Sequence, residues 1–391
     1  GARDGAGQLT QRLAHQAGLC AHGGFTHFAF QLGLWYKCGN RIDDHHIDRA
    51  RAHERIGDLK CLFAGVGLRD EQVIDIHAHF GPLTLGPDYE KRFDPKKEVE
   101  KLKSLGVVYI TNLETLWGAE LERVVNKIKP YDDFILTFGS VDILRLDEPD
   151  FADHVEETLK NYKKTGIRGL KLWKNISLGM KDKAGKYIPI DDKRLKPIWD
   201  WSAELDLPIV IHIADPVAFF RPVDQYNERW EELQGHPDWS FCKPGLFTFE
   251  ELMEQQESMV AQNPDTTFII AHGGSYSENL GWVGQCLDKY PNMYIDIAAR
   301  LAEFGRQPYT SRKFFTKYQD RILFGTDCGP GWYEHLRYYE FFETWNEYFD
   351  YGSGEIPGQG RWKIYGIHLD DEALEKIYYK NAARILGLEV K

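Results

Sequence analysis

Residues 72–80 read Gln-Val-Ile-Asp-Ile-His-Ala-His-Phe. Val73, Ile74 and Ile76 mark a strand. Side chains alternate along a strand, so Asp75, His77 and His79 are expected on one face. Two imidazoles two residues apart at a strand end can hold one cation. Three further strand-like segments end in a residue able to ligate a metal. These are His212 in PIVIHIADP, His272 in TTFIIAHGG and Asp327 in RILFGTDCG. Strand ends carrying His, His, His and Asp, in a chain that alternates strand with helix, describe a metal site at the mouth of a barrel.

The elements that position these residues follow from the punctuation. Strand-like runs fall at 72–79, 107–113, 134–141, 167–173, 208–214, 266–272, 292–298 and 321–327. Helical patterns lie between them, at 98–105, 120–128, 151–162, 195–205, 252–260, 280–287 and 312–318, with a last one at 371–386. Eight alternations predict a (β/α)8 TIM barrel over residues 71–391, with its site at the C-terminal ends of the strands. The two longest connections, 216–247 and 328–369, leave from that face and are expected to cover it. Residues 1–70 differ in composition and are read as an N-terminal extension outside the catalytic unit. Asp43, Asp44, His45 and His46 within it are read as a solvated polar loop.

With 391 residues, 42% of them apolar, the chain can bury a large core. A formal net charge of −12 argues against nucleic acid and anionic membrane surfaces as partners. No apolar run approaches a membrane span. Six scattered cysteines without a Cys-x-x-Cys pair fit a reducing compartment, so a cytoplasmic location is expected. The expected partner is a small-molecule substrate. A homo-oligomer is compatible with the sequence, which shows no interface.

The motifs IDIHAH, GLKLW, IVIHIADP, FIIAHGG, ILFGTDCG and NAARILGL, in this order, resemble the metal-dependent amidohydrolase superfamily. The resemblance is to its amidohydrolase 2 branch, which also holds decarboxylases of the aminocarboxymuconate-semialdehyde type, and it covers about residues 72–388. It implies that His77, His79, His212 and Asp327 ligate one divalent ion. Imidazole and carboxylate suit Zn2+, and Mn2+ or Fe2+ also fit. It further implies that Asp327 takes a proton from a metal-activated water, with His272 hydrogen-bonding that water or polarising the substrate.

Lys171, between Leu170 and Leu172, is expected to face the barrel interior with Trp173. Three readings stand open: a carbamylated lysine bridging two ions, a cation that binds substrate, or an internal salt bridge with Glu114 or Asp142. Trp117, Trp173 and Trp332 fall just beyond strands. Together with Arg300 and Arg221 they would suit a planar or aromatic carboxylate, although ordinary packing explains the tryptophans as well. Asp296 is read either as a hydrogen-bonding partner of the metal site or as a hydrogen bonder in the barrel interior. His335, His368, His236 and His154 are read as structural or surface residues. The leading expectation is a hydrolase of a C–N or C–O bond in an amide, lactone or ester. The alternatives are a decarboxylase of an aromatic or enol acid, and a metal-binding barrel without catalysis.

Overall fold

The structure is a computed structural model that describes residues 72–331, 333–352 and 357–389. The extension expected at 1–70 and Trp332 lie outside the described residues. Eight parallel strands follow one another: β1 (Val73–Ala78), β2 (Val107–Asn112), β3 (Ile135–Thr137), β4 (Leu170–Leu172), β5 (Ile209–Ile211), β6 (Phe268–Ile270), β7 (Met293–Asp296) and β8 (Ile322–Leu323). They pair in sequence order as β1–β3 and β4–β8. Single bridges join the two sets, Gly139 with Leu170 and Ala78 with Cys328, so the sheet closes into a (β/α)8 barrel. At the first seam the backbones approach closely. A Cβ on Gly169 would lie 2.4 Å from the Phe138 ring and 2.5 Å from the Pro208 carbonyl, so only glycine fits there.

Period-two alternation sorts the side chains into two layers. Ile74, Ile76, Leu136, Val210, Ile269 and Leu323 pack together inside the barrel. Leu170, Leu172, Ile209, Ile211, Phe268 and Ile295 pack outward, in one cluster with helix residues such as Leu102, Leu159 and Leu252. The helix Phe249–Gln262 shows why these segments start where they do. Thr248 accepts from the Glu251 N–H while the Glu251 carboxylate accepts from the Thr248 N–H, a capping box.

The strands are shorter than their sequence runs. Those expected at 266–272, 292–298 and 321–327 stop at Ile270, Asp296 and Leu323. The reason lies in the residues that follow. His272, Ala299 and Asp327 take left-handed φ values of 58°, 52° and 65°, which turn the chain out of the ladder. The last helix, expected unbroken over 371–386, contains a π-helical turn at Lys376–Lys380. The Ile377 carbonyl in that turn accepts the Phe324 N–H at 3.0 Å, beyond the short β8 ladder. Ala382 and Leu386 then join the barrel-interior cluster.

Candidate metal centre

β1 carries His77 and His79 to the C-terminal mouth, and both are fully buried. The alternation expected for Asp75, His77 and His79 does not hold. The β1–β2 ladder shifts register between Asp75 and Ala78, an irregularity of the bulge type. Asp75 turns to Thr326 and to His335, which is buried at the start of the helix His335–Glu343. His77 Nδ1 meets Asp296 of β7 at 2.7 Å. His77 Nε2 lies 3.6 Å, and His79 Nε2 3.1 Å, from Asp327 Oδ1. Gly325 makes room for this arrangement, because a Cβ there would come within 3.0 Å of the His77 Cβ.

His272 adjoins His77, with ring centroids 4.9 Å apart, and its Nε2 lies 3.1 Å from His212 Nδ1. One nitrogen each of His77 and His272 and one oxygen of Asp327 fall within 4.8 Å of one another. His212 stands one ring further out. Its Nε2 lies 3.3 Å from Asp215 Oδ1. Asp215 is also paired with Lys174 and lies 3.8 Å from Arg300.

Partners fix the tautomers. A carboxylate takes the proton on His77 Nδ1. The Ala298 carbonyl takes the one on His272 Nδ1. Lone pairs therefore remain on His77 Nε2 and His272 Nε2, and His212 Nδ1 is placed to donate to the second. Burial lowers the pKa of all three rings, that of His212 to about 4, and keeps them neutral near pH 7. Burial works to raise the Asp327 pKa, but His77 and His79 outweigh it and hold the carboxylate at about 2. The Asp327 carboxylate stands against buried imidazoles, an arrangement that a cation or proton among them would stabilise. The donor set of neutral imidazole nitrogen and carboxylate oxygen fits a divalent ion.

Lys171 points into this cluster, with Nζ 3.0 Å from His77 Nε2. Burial pulls its amine down to about 8. The salt bridges weighed for it are not made. Glu114 accepts the Leu83 N–H and is raised to about 8 by burial, and Asp142 caps Leu144 N–H. Trp173 is buried against Leu83. Arg300 is buried beside Asp215. Arg221 is not brought to the histidines. It is exposed and lines a cleft of about 350 Å³ with Tyr276, Glu278, Asn279 and Arg306. Lys174 and Asp215 were not singled out from sequence. Asp215 stands three residues past His212 in a turn, where no strand period points to it.

A closed barrel with buried imidazoles and a carboxylate at its C-terminal mouth defines a barrel of the enzyme type. The Amidohydrolase family profile matches residues 74–388, and the chain belongs to that family. Among solved structures, 2,6-dihydroxybenzoate decarboxylase from Rhizobium aligns over 81% of this chain and 99% of its own, at 15% identity and a TM-score of 0.50. 4-Oxalomesaconate hydratase from Rhodopseudomonas palustris aligns over 81% and 95%, at 15% identity and 0.50. 5-Carboxyvanillate decarboxylase from Novosphingobium aromaticivorans, complexed with manganese and 4-hydroxy-3-methoxy-5-nitrobenzoic acid, aligns over 82% and 98%, at 10% identity and 0.50. At these identities the likeness is one of fold. No curated protein matches the chain. No helix among the described residues is long and apolar enough to cross a membrane.

Proposed function

We propose that this protein is a metal-dependent hydrolase of the amidohydrolase type, acting on a C–N or C–O bond of a small carboxylated substrate. The observation that carries the reading is the convergence of ring nitrogens of His77 and His272 and an oxygen of Asp327 in a buried mouth, with His79 Nε2 3.1 Å from the same Asp327 oxygen. His77, His79, His212 and Asp327 would hold one divalent ion, Zn2+ or Mn2+. The ion would supply Lewis-acid polarisation of a substrate oxygen and a lowered pKa for water.

The side chains supply the rest. Asp327 is ionised across the neutral range and can take a proton from the attacking water and return it to the leaving group. His272 is locked by the Ala298 carbonyl and presents Nε2 as an acceptor. Arg300 and Lys174 put two buried cations around the single Asp215 carboxylate, where a substrate carboxylate would be held. Lys171 adds a third cation on the other side of His77. Asp327 and the neutral imidazoles supply bases near pH 7, which favours water activation.

A decarboxylase of an aromatic or enol acid is the second reading. The Lys174–Arg300 pair favours it, and it matches the reactions named for two of the solved barrels. Metal-stripped protein, reloaded with Zn2+ or Mn2+, should be assayed on esters, lactones and carboxylated aromatics. Metal-dependent hydrolysis without carbon dioxide release supports the first reading. Carbon dioxide release establishes the second. Full activity without metal removes both. Two ions per chain on metal analysis would favour a carbamylated Lys171 bridging them.

A further inference from the structure

A second buried cluster sits behind the candidate metal centre. Asp75, Cys328 and His335 bring ligand-type atoms within 4.8 Å of one another, and all three are buried. A second ion is not what this cluster is built for. A carboxylate offers about four lone-pair positions; three N–H and O–H donors reach them here, and His335 Nε2 stands beside the fourth. Oδ1 of Asp75 accepts the His77 N–H at 3.0 Å and the Thr326 N–H at 3.2 Å. Oδ2 accepts the Thr326 hydroxyl at 2.6 Å and faces His335 Nε2 at 3.0 Å. The thiol of Cys328 adds a long sulfur hydrogen bond to Oδ2 at 4.0 Å.

The donors come from three places. His77 is on β1, Thr326 follows β8, and His335 opens the helix Glu334 caps. At this seam the β1–β8 pairing is reduced to one bridge and a few backbone bonds, including the Asp327 N–H to the His77 carbonyl at 2.7 Å. One wall of the metal centre hangs from β1 and the other from the residue after Thr326. The separation between them is the His77–Asp327 and His79–Asp327 spacing.

We infer that Asp75 and His335 are positioning residues for the metal centre. Held from behind by His335, the Asp75 carboxylate ties the two sides of the seam and sets the distance between the β1 imidazoles and Asp327. The inference rests on the metal-binding reading above. Ligand affinity, not fold, is what such a clamp controls, because the flanking barrel has its own packed core. Hydrogen-bonding partners of metal ligands typically change affinity by about 10–100-fold when removed.

The test is calorimetric titration of the metal-stripped full chain with Mn2+. His335→Phe keeps the ring volume and loses the N–H; His335→Gln places an N–H near the position of Nε2. We expect His335→Phe to keep the wild-type near-ultraviolet circular dichroism yet bind Mn2+ about tenfold more weakly. His335→Gln should recover most of that loss. A merely structural role would lower the melting point of the stripped protein without this rescue of affinity. Should His335→Phe fail to fold, Thr326→Val removes the hydroxyl donor to the same oxygen and should weaken Mn2+ binding in the same direction. A folded His335→Phe or Thr326→Val that binds Mn2+ as tightly as wild type overturns the clamp. A wild-type protein that binds no Mn2+ or Zn2+ instead overturns the metal-binding reading.

Discussion

At the scale of single residues, the candidate centre is a problem in proton bookkeeping. His77 and His272 each have Nδ1 bound to a group that only accepts, so the Nε2 of each must present a lone pair. Asp327 adds an ionised oxygen among them. Its φ of 65° is strain that persists only where the surroundings impose it, here the backbone bond from its N–H to the His77 carbonyl. Asp327→Asn keeps the size and an oxygen ligand but removes the base. We expect turnover to fall by about 10²–10⁴-fold or more, with part of the metal retained. Rate measurements at matched metal content check this, and near wild-type turnover would leave the chemistry to His272. That His77, His79, His212, His272 and Asp327 gather at one mouth was legible in the sequence because each ends an apolar run. Asp215 and Lys174 were not, since they lie in turns where spacing carries no direction. Asp75 was misread in orientation, because a bulge in β1 breaks the period of two that assigned its face.

At the scale of elements, the strand-and-helix order was legible from apolar periodicity, while strand lengths were not. Left-handed residues at the strand ends, among them His272 and Asp327, are not marked by glycine, so nothing in the pattern announces the early exit. The long connection after β5 was expected to cover the mouth. It holds short helical turns at Val217–Phe220, Trp230–Gly235 and Pro237–Trp239. Its anchor is Arg229, buried and paired with Glu232 at 2.7 Å and with Glu303 of the helix Leu301–Gly305. Phe219 and Trp362 flank its guanidinium. Removing one partner of a buried pair leaves charge uncompensated, at a cost of about 3–5 kcal/mol. Arg229→Met should therefore lower denaturant stability by about that amount, or detach the connection while the barrel stays folded. Proteolysis within 216–247 against unchanged barrel secondary structure would distinguish detachment from global loss. Unchanged stability and unchanged cleavage would show that the ion cluster anchors nothing.

At the scale of the whole molecule, two expectations follow from where the barrel begins and what it buries. β1 starts at Val73 and the family match at residue 74. Deleting residues 1–68 should leave a folded, metal-binding barrel, as read by circular dichroism and metal content; loss of soluble protein would make the segment part of the core or of an interface. The second expectation concerns pH. In the metal-free protein burial depresses the pKa of His77, His79, His212 and His272 below 6.5. Below that value the unfolded chain binds protons that the folded chain refuses, so stability must rise with pH and fall on acidification. For His212 the loss accrues from about pH 6.5 down to about 4, and Asp327, held at about 2, extends the same trend to lower pH. Asp296 and Glu114 act oppositely. Burial raises them to about 6 and about 8, so the folded state keeps protons the unfolded chain has released, and their contribution falls as pH rises through those windows. The metal-free protein should thus be most stable at intermediate pH, with Glu114→Gln removing a decline that runs from about pH 4.5 to 8, so that the alkaline side flattens and the acid side steepens. Bound metal competes with protons for the same lone pairs, so its stabilising effect should shrink as pH falls below about 6. Melting curves from pH 4 to pH 9, with and without Mn2+, test all of this together. A metal-induced shift that is as large at pH 5 as at pH 8 would show that the ion does not sit on these histidines.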